Sequence, residues 1–192
     1  MPRASIWKQA LGLSKTTIER VDAEQETSTD GDDDTRLVIH VRPTRSARSR
    51  CPYCWRRCPG YDRGPGRRRW RAHDAGLIVV YLEADTPRVT CREHGVIVAL
   101  VPWARHDAGH TLAFDDQVAW LATHTTKSTV SRLMRIAWRT VGAIIARVDA
   151  KFAAGVYRAD GGMTQRQRHA DCLVELALDG SLPGSPCGVV AV

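Results

Sequence analysis

The hydrophobic pattern of the chain changes character at Pro102. Before this residue, short runs rich in β-branched side chains are separated by Gly, Pro and Asp, which is typical of strands in a small antiparallel sheet. After it, apolar residues recur at helical spacing. We therefore expect a β region followed by an α region. The expected strands are Thr16–Val21, Arg36–Val41, Gly76–Leu82, Arg88–Cys91 and Val96–Val101.

The α region predicts three helices, at about Asp115–Thr123, Lys127–Met134 and Trp138–Val148. Thr125 or Thr126 can cap the second helix. The turn between the last two helices, Arg135–Ala137, has three residues, and its Ile136 is expected to be buried. A short helix, a tight turn and a longer helix make the helix-turn-helix layout, whose second helix enters the major groove of DNA. The alternative is an ordinary three-helix bundle whose charges face water.

Charge is segregated along the 192 residues, which carry a net charge of +7 and have a pI of about 9.4. Seven acids and no base lie in 22–34, which we interpret as a solvated loop or hairpin tip. Eleven arginines and one acid lie in 42–71. A basic balance favours an anionic partner such as nucleic acid. No run of about 18 apolar residues and no secretory signal is present, so we expect a cytoplasmic protein that does not span a membrane.

Two metal-spaced pairs stand out among the six cysteines, which are expected to be reduced in the cytoplasm. Cys51 and Cys54 form a C-x-x-C pair, and Cys91 and His94 form a C-x-x-H pair after 36 intervening residues. Four N and S ligands from two knuckles suit tetrahedral, structural Zn²⁺. The alternatives are unligated thiols with a surface His, or a redox pair, although no βαβ context surrounds the first pair.

Two residues complicate the first knuckle. Cys58 lies outside the ligand spacing and is interpreted as a bystander, as are Cys172 and Cys187. Trp55 occupies the position after the second cysteine, where a small residue such as Gly usually permits a positive φ. We expect that Trp55 strains the turn or weakens the metal site.

Candidate DNA contacts follow from the charge and from the helix-turn-helix pattern. Arg139 is the favoured contact to a base or phosphate, because the N-terminal residues of a recognition helix read bases. Trp138 is expected to be a core residue rather than a base-stacking one. The full set of candidate DNA-binding residues is Arg67, Arg68, Arg69, Arg71, Lys127, Ser128, Arg132, Arg139 and Thr140.

The expected fold class is α+β, with a small zinc-ribbon-like antiparallel β module followed by an all-α helix-turn-helix. The expected domains are a zinc-binding β module at 1–105, a helix-turn-helix at 110–150 and a divergent, partly disordered tail at 151–192, with a short helical piece at Arg166–Leu178. The acidic residues Asp149, Asp160, Asp171 and Glu175 do not lie in buried strands, so we predict no catalytic residue.

The chain also resembles the ISL3 family of insertion-sequence transposases over about residues 10–150. The matching pieces are LGL, LVIHVRP, CPYC with RRCPGYDRG, RRRWRAHDAG, YLEADTPRVTCREHG, VPWARHDAGHT, AFDDQVAWLATHT and MRIAWRTVGAIIARV. Trp55 departs from the Gly that is usual in the family, and His73 from an apolar residue.

The resemblance implies a zinc finger and a helix-turn-helix that engage the terminal inverted repeats of a transposon. By motif, the zinc ligands would be Cys51, Cys54, Cys91 and His94, and the recognition helix would be Trp138–Val148. The family continues into a DDE catalytic domain, whose first strand is not found after Ala150, so we expect a truncated transposase.

The expected partner is double-stranded DNA of transposon ends, with a homodimer or the full-length transposase as protein partner. A zinc-stabilised dimerisation module and a non-functional transposase remnant are the alternatives.

Overall fold

The computed structural model describes residues 3–27 and 33–153, which fall into two compact units, Met1–Phe114 and Asp115–Val192. The tip of the acidic stretch, the predicted piece Arg166–Leu178 and the predicted tail beyond residue 153 lie outside the described residues. In the described part, strands occupy the N-terminal region and helices dominate the C-terminal region, so the α+β class is confirmed.

The first unit begins with a helix and continues with seven strands, and three further helices follow. All five predicted strands are present, Arg88–Cys91 with the predicted bounds and the other four with shifted ends, whereas α1, β3 and β4 were not predicted. The elements are α1 (Arg3–Ala10), β1 (Thr16–Thr27), β2 (Asp33–Pro43), β3 (Gly60–Asp62), β4 (Arg67–Arg71), β5 (Val79–Asp85), β6 (Arg88–Cys91), β7 (Gly95–Val98), α2 (Leu112–His124), α3 (Lys127–Met134) and α4 (Trp138–Ala153).

The strands form two sheets rather than one. The large sheet has the order β1-β2-β5-β4, and the small sheet has the order β3-β6-β7. β2 and β5 run parallel, with Arg36 opposite Val79, so the prediction of a purely antiparallel module is wrong. The 35 residues at 44–78 connect these two strands, and a connection of a dozen or more residues permits parallel pairing.

The described residues of the acidic stretch, 22–27 and 33–34, are strand, so the interpretation as a loop is wrong for them, whereas the antiparallel pairing of β1 with β2 agrees with a hairpin. The antiparallel pairing of β1 with β2 continues from Thr16 opposite Pro43 to Thr27 opposite Asp33. Asp22 and Glu24 therefore lie on β1. Asp22 contacts Arg20 of the same strand and His40 of β2, and Glu24 contacts Arg69 of β4. Cross-strand ion pairs of this kind let acidic residues stay within a sheet.

The two sheets have different cores. The core of the large sheet is apolar and includes Trp70 and Trp103, whose rings pack edge to face with centroids 5.5 Å apart. The core of the small sheet is a cluster of Cys51, Cys58, Val89, Cys91 and Ala99. Three of these five residues are cysteines, so the small sheet buries little hydrocarbon of its own.

Helices α3 and α4 pack through one buried stripe. The side chains of Val130, Met134, Val141, Ile144 and Val148 are buried. Asp115 at the start of α2 is fully buried, and Arg147 donates to its carboxylate at 3.3 Å. A carboxylate on the first turn of a helix is also favoured by the helix dipole.

Two side chains of this unit depart from prediction. Ile136 in the turn is only half-buried. Trp138 is 57% exposed, so the prediction that it is a core residue is wrong. No helix within the described ranges is both long and apolar enough to cross a membrane.

Candidate metal centre and nucleic-acid interface

The first knuckle is a tight turn between the loop at 44–50 and β3. The Cys51 amide donates to the carbonyl of Arg56 at 3.0 Å, and the Trp55 amide donates to the carbonyl of Cys51 at 3.0 Å. Trp55 has a φ of +62°, the left-handed conformation that glycine adopts without cost. The turn thus forms with a bulky residue at the position where the sequence suggested Gly.

The second knuckle is the turn of the β6–β7 hairpin. Cys91 ends β6 and pairs with Gly95, which begins β7. Gly95 has a φ of +68°, so it takes the same position after His94 that Trp55 takes after Cys54. In both knuckles the residue after the second ligand has a positive φ, and only the second knuckle has glycine at that position.

The knuckles bring the four predicted ligands together. Their ligand atoms all lie within 4.8 Å of one another. The Sγ atoms of Cys54 and Cys91 are 3.6 Å apart, and the Nδ1 atom of His94 is 3.6 Å from Sγ of Cys51 and 3.5 Å from Sγ of Cys91. A zinc tetrahedron requires edges of about 3.8 Å between two sulfurs and about 3.6 Å between sulfur and nitrogen. The donor set and its spacing therefore fit a structural zinc.

Ionisation of Cys91 also suits a metal. The hydrogen bond with His94, followed by a backbone bond from Glu93, lowers the pKa of Cys91 to about 6. The thiolate is therefore the main form at neutral pH, and the thiolate is the form that ligates metals.

Cys58 lies beside the cluster, outside the four-ligand set. It is 8% exposed, and its thiol donates to the carbonyl of Arg56 at 3.4 Å. Burial is the main cause that raises its pKa, and neighbouring Cys91 raises it further. A protonated, buried thiol packs like a small hydrophobic residue, which is consistent with the bystander interpretation.

The arginines of β4 are engaged within the first unit. Arg67 pairs with Glu83 at 2.9 Å. Arg69 donates to Glu83 at 2.7 Å and to both carboxylate oxygens of Glu24 at 2.7 and 2.8 Å. Arg68 donates to the carbonyl of Ala108 at 2.8 Å. Three of the predicted DNA contacts thus already have partners, although Arg67 and Arg69 remain 48% and 42% exposed.

The burial of Arg71 disfavours its predicted contact with DNA. Arg71 is 6% exposed, forms an ion pair with Asp74 and donates to the carbonyl of Ala72 at 2.5 Å. Its guanidinium also lies 5.3 Å from the ring centroid of Phe114. Burial of a charge requires such compensation, and no local pattern in the sequence indicates that this arginine faces inward.

The helical unit places its predicted DNA contacts on exposed positions. Thr126 caps α3 by accepting from the Thr129 amide, which confirms the predicted capping. Arg135 ends α3 with a φ of +51°, and the chain then enters α4 after a three-residue turn. Thr140 is half-buried; the exposed members of the set are Lys127, Ser128, Arg132 and Arg139.

Trp138 is a surface residue that the sequence interpretation missed. The ammonium of Lys127, on the first turn of α3, lies 5.5 Å from the centroid of its indole ring. This cation–π contact joins the N-terminal ends of α3 and α4. Its only signal in the sequence is the position of Trp138, one residue before the basic Arg139.

Comparison with known proteins separates the same two regions. Residues 47–94 match the zinc-finger of transposases IS204/IS1001/IS1096/IS1165, and residues 99–149 match the helix-turn-helix domain of transposase family ISL3. The chain is 50% identical over 149 residues to the transposase for insertion sequence element IS1557 in two strains of Mycobacterium tuberculosis, CDC 1551 / Oshkosh and ATCC 25618 / H37Rv.

The aligned part covers 77% of this chain and 33% of each relative, so the chain spans about a third of the length of the curated relatives it matches. No solved structure matches the chain. The two adjacent family matches and the four-ligand cluster agree, and residues 47–149 therefore belong to the ISL3 transposase family, as its zinc finger and its helix-turn-helix domain.

Proposed function

We propose that this chain is a DNA-binding part of an insertion-sequence transposase that recognises the terminal inverted repeats of its element. The observation that carries the proposal is the helix, three-residue turn and helix of α3 and α4, with basic side chains exposed at their N-terminal ends. A recognition helix reads bases with its N-terminal residues.

In this proposal α4 is the recognition helix and α3 crosses the phosphate backbone. Arg139 contacts a base edge, and Thr140 follows it on α4. Trp138 packs beside the groove. The side chains of Lys127, Ser128 and Arg132 contact phosphates, which position the protein without specifying sequence. The carbon stem of Lys127 is already ordered by its contact with Trp138, which reduces the entropy lost on binding.

The β module has a structural role in the proposal. Cys51, Cys54, Cys91 and His94 would hold Zn²⁺, which crosslinks the two knuckles and replaces the hydrocarbon core that the small sheet lacks. All four ligand positions are supplied by the protein, so such a site stabilises the fold and activates no water.

The first test is a titration of the purified chain with duplexes of the element's ends and with scrambled duplexes, at two salt concentrations. We expect one zinc per chain, tighter binding to the ends, and weaker binding at the higher salt. Equal affinity for both duplexes at each salt concentration would contradict inverted-repeat recognition.

Two variants of Arg139 refine the assignment. Arg139→Ala is expected to weaken binding to the ends by about 5- to 150-fold, the range for loss of a bidentate base contact. Arg139→Lys keeps the charge but loses the planar fork, so it should retain binding to scrambled DNA and lose preference for the ends. If both variants weakened all duplexes equally, Arg139 would be a phosphate contact.

A homodimer remains a proposal of the same kind. Sedimentation of the chain without DNA tests it, because a dimerisation module would self-associate in the absence of the duplex. Self-association that survives loss of all DNA binding would favour the interaction-module alternative.

A further inference from the structure

The arginines of the first unit divide into two groups by their partners. One group is ion-paired on the large sheet, as described for Arg67 and Arg69. A second group is exposed, and within the described residues its side chains have no hydrogen bond or ion pair: Arg45, Arg48, Arg63 and Arg92. A free guanidinium retains its full capacity to bind a phosphate.

Three of these four arginines, Arg45, Arg48 and Arg92, lie on or beside the two knuckles. Arg45 and Arg48 lie in the loop at 44–50, which is fastened to the first knuckle. Arg57 donates to the carbonyl of Arg45 at 3.0 Å, and the Cys58 amide donates to the carbonyl of Ser49 at 2.8 Å. Arg92 lies within the second knuckle, between ligand positions Cys91 and His94. The metal cluster therefore fixes the spacing of these cations.

Two aromatic residues are exposed on the same knuckles. Tyr53 is 55% exposed, and its ring lies 5.1 Å from that of His94 and 5.2 Å from that of His106. Trp55 is 56% exposed and is held in the left-handed conformation. An exposed tryptophan costs solvation, and this one also costs backbone strain.

The nearest acid is neutralised. Glu93, in the second knuckle, is ion-paired with Arg56. The knuckles thus present free cations interleaved with exposed aromatic rings, the composition typical of nucleic-acid-binding surfaces.

We propose that the knuckle face, defined as Arg45, Arg48, Tyr53, Trp55 and Arg92, is a second duplex-DNA contact of this chain, distinct from the residues of α3 and α4. The three arginines bind backbone phosphates, and the two rings pack against the sugar-phosphate edge. This inference rests on the proposed DNA-binding function and replaces Arg67–Arg71 as the contact surface of the β module.

The test compares two triple variants of the whole chain that lose the same charge. The knuckle variant is Arg45→Gln, Arg48→Gln and Arg92→Gln. The control is Arg20→Gln, Arg42→Gln and Arg88→Gln, three exposed arginines that are ion-paired with Asp22, Glu19 and Asp62. Affinity for an element-end duplex is measured by fluorescence anisotropy over a salt series, with zinc stoichiometry measured on each sample.

The salt dependence distinguishes direct contact from general charge. Loss of three phosphate contacts should reduce the slope of log K against log salt by about 2.7, because each contact contributes about 0.9. The control, with equal net charge, should change the slope by less than about 0.9. Should the triple variant lose zinc, the three single variants, each expected to lower the slope by about 0.9, provide the same measurement.

Trp55→Gly tests the aromatic part, because glycine relaxes the turn. We expect about 5- to 20-fold weaker DNA binding with zinc stoichiometry unchanged, as for loss of one stacking or packing aromatic. Unchanged slopes and affinities in every knuckle variant, while Arg139→Ala still weakens binding, would overturn the knuckle face and leave the proposed function intact. Absence of DNA binding by the unmodified chain would overturn both. Unchanged DNA binding with lost self-association would assign the face to a protein partner instead.

Discussion

The large and small sheets of the first unit are stabilised by different kinds of interaction. The large sheet buries Trp70, Trp103 and aliphatic side chains, and it neutralises its arginines internally. In the small sheet, β6 and β7 together contain seven residues besides Cys91. Three of the five residues in its core are cysteines. A sheet this small cannot bury enough apolar surface to fold without a crosslink.

The difference also decides which charges are available to a partner. In the large sheet, ion pairs hold the arginine side chains in place and also neutralise their charge. In the small sheet the metal provides the order, so nearby arginines need no internal partner and remain free. If the knuckle face binds DNA as proposed, arginine density in the sequence does not locate the binding surface, because Arg67–Arg71 is the denser cluster and also the more fully paired one.

Metal removal should produce the largest difference between the two sheets. Chelation, or Cys91→Ser, is expected to unfold the small sheet, because structural zinc contributes about 10–16 kcal/mol in small zinc modules. The large sheet should persist, since its core is apolar. Limited proteolysis checks this, with cleavage expected first between residues 44 and 66. Cys58→Ser is the matched control and should retain one zinc per chain.

Acid should have the same effect as chelation. Without metal, the pKa of Cys91 is lowered to about 6, so its thiolate is the main form above that pH and is lost as the pH falls through it. Bound zinc competes with protons for the thiolate, so zinc release is expected to begin below this pH, and release at neutral pH would contradict a structural site.

Arg71→Ala should be the largest single-residue effect on the large sheet. The substitution leaves Asp74 without its buried ion-pair partner, and losses of this kind cost about 3–5 kcal/mol. Urea denaturation of the zinc-loaded chain measures the free energy of unfolding. The DNA affinity of the folded fraction should be unchanged, and a reduced salt slope would instead restore Arg71 as a DNA contact.

Trp55→Gly should have an intermediate effect on stability, and it should stabilise the first knuckle rather than destabilise it. A non-glycine residue in the left-handed region costs about 1–2 kcal/mol, so glycine should stabilise the first knuckle by about 1 kcal/mol. Competition with a zinc chelator measures the gain as tighter zinc retention. Gly95→Ala is the mirror experiment in the second knuckle, and it should weaken zinc retention because its φ of +68° disfavours a side chain.

Glu24→Gln should have the smallest effect. The hydrogen bond from Arg69 lowers the pKa of Glu24 below its ordinary value of 4.5. The pair therefore contributes fully above that pH, and its contribution is lost as the pH falls through the lowered pKa. Because both side chains are well exposed, the loss at neutral pH should be under about 1 kcal/mol. Thermal unfolding at pH 7 and pH 3 checks that the variant and the unmodified chain converge in acid.

Local signals in the sequence determined the parts of this protein that depend on near neighbours. The bounds of α3 were predicted as Lys127–Met134, because a capping Thr126 and a helical apolar stripe lie within one short segment. The four members of the metal cluster were predicted for a similar reason. Each knuckle is a four-residue turn whose ligand spacing is visible in the sequence.

Tertiary structure alone decided the features that depend on residues far apart. The parallel pairing of β2 with β5, the pairing of Glu24 with Arg69 across 45 positions and the burial of Arg71 leave no local trace. The exposure of Trp138 is of the same kind, since helical spacing fixes which residues share a face but not which face is covered. Direction of pairing, ion-pair partners and burial are all properties of the packed chain, and packing is set by contacts that local periodicity does not encode.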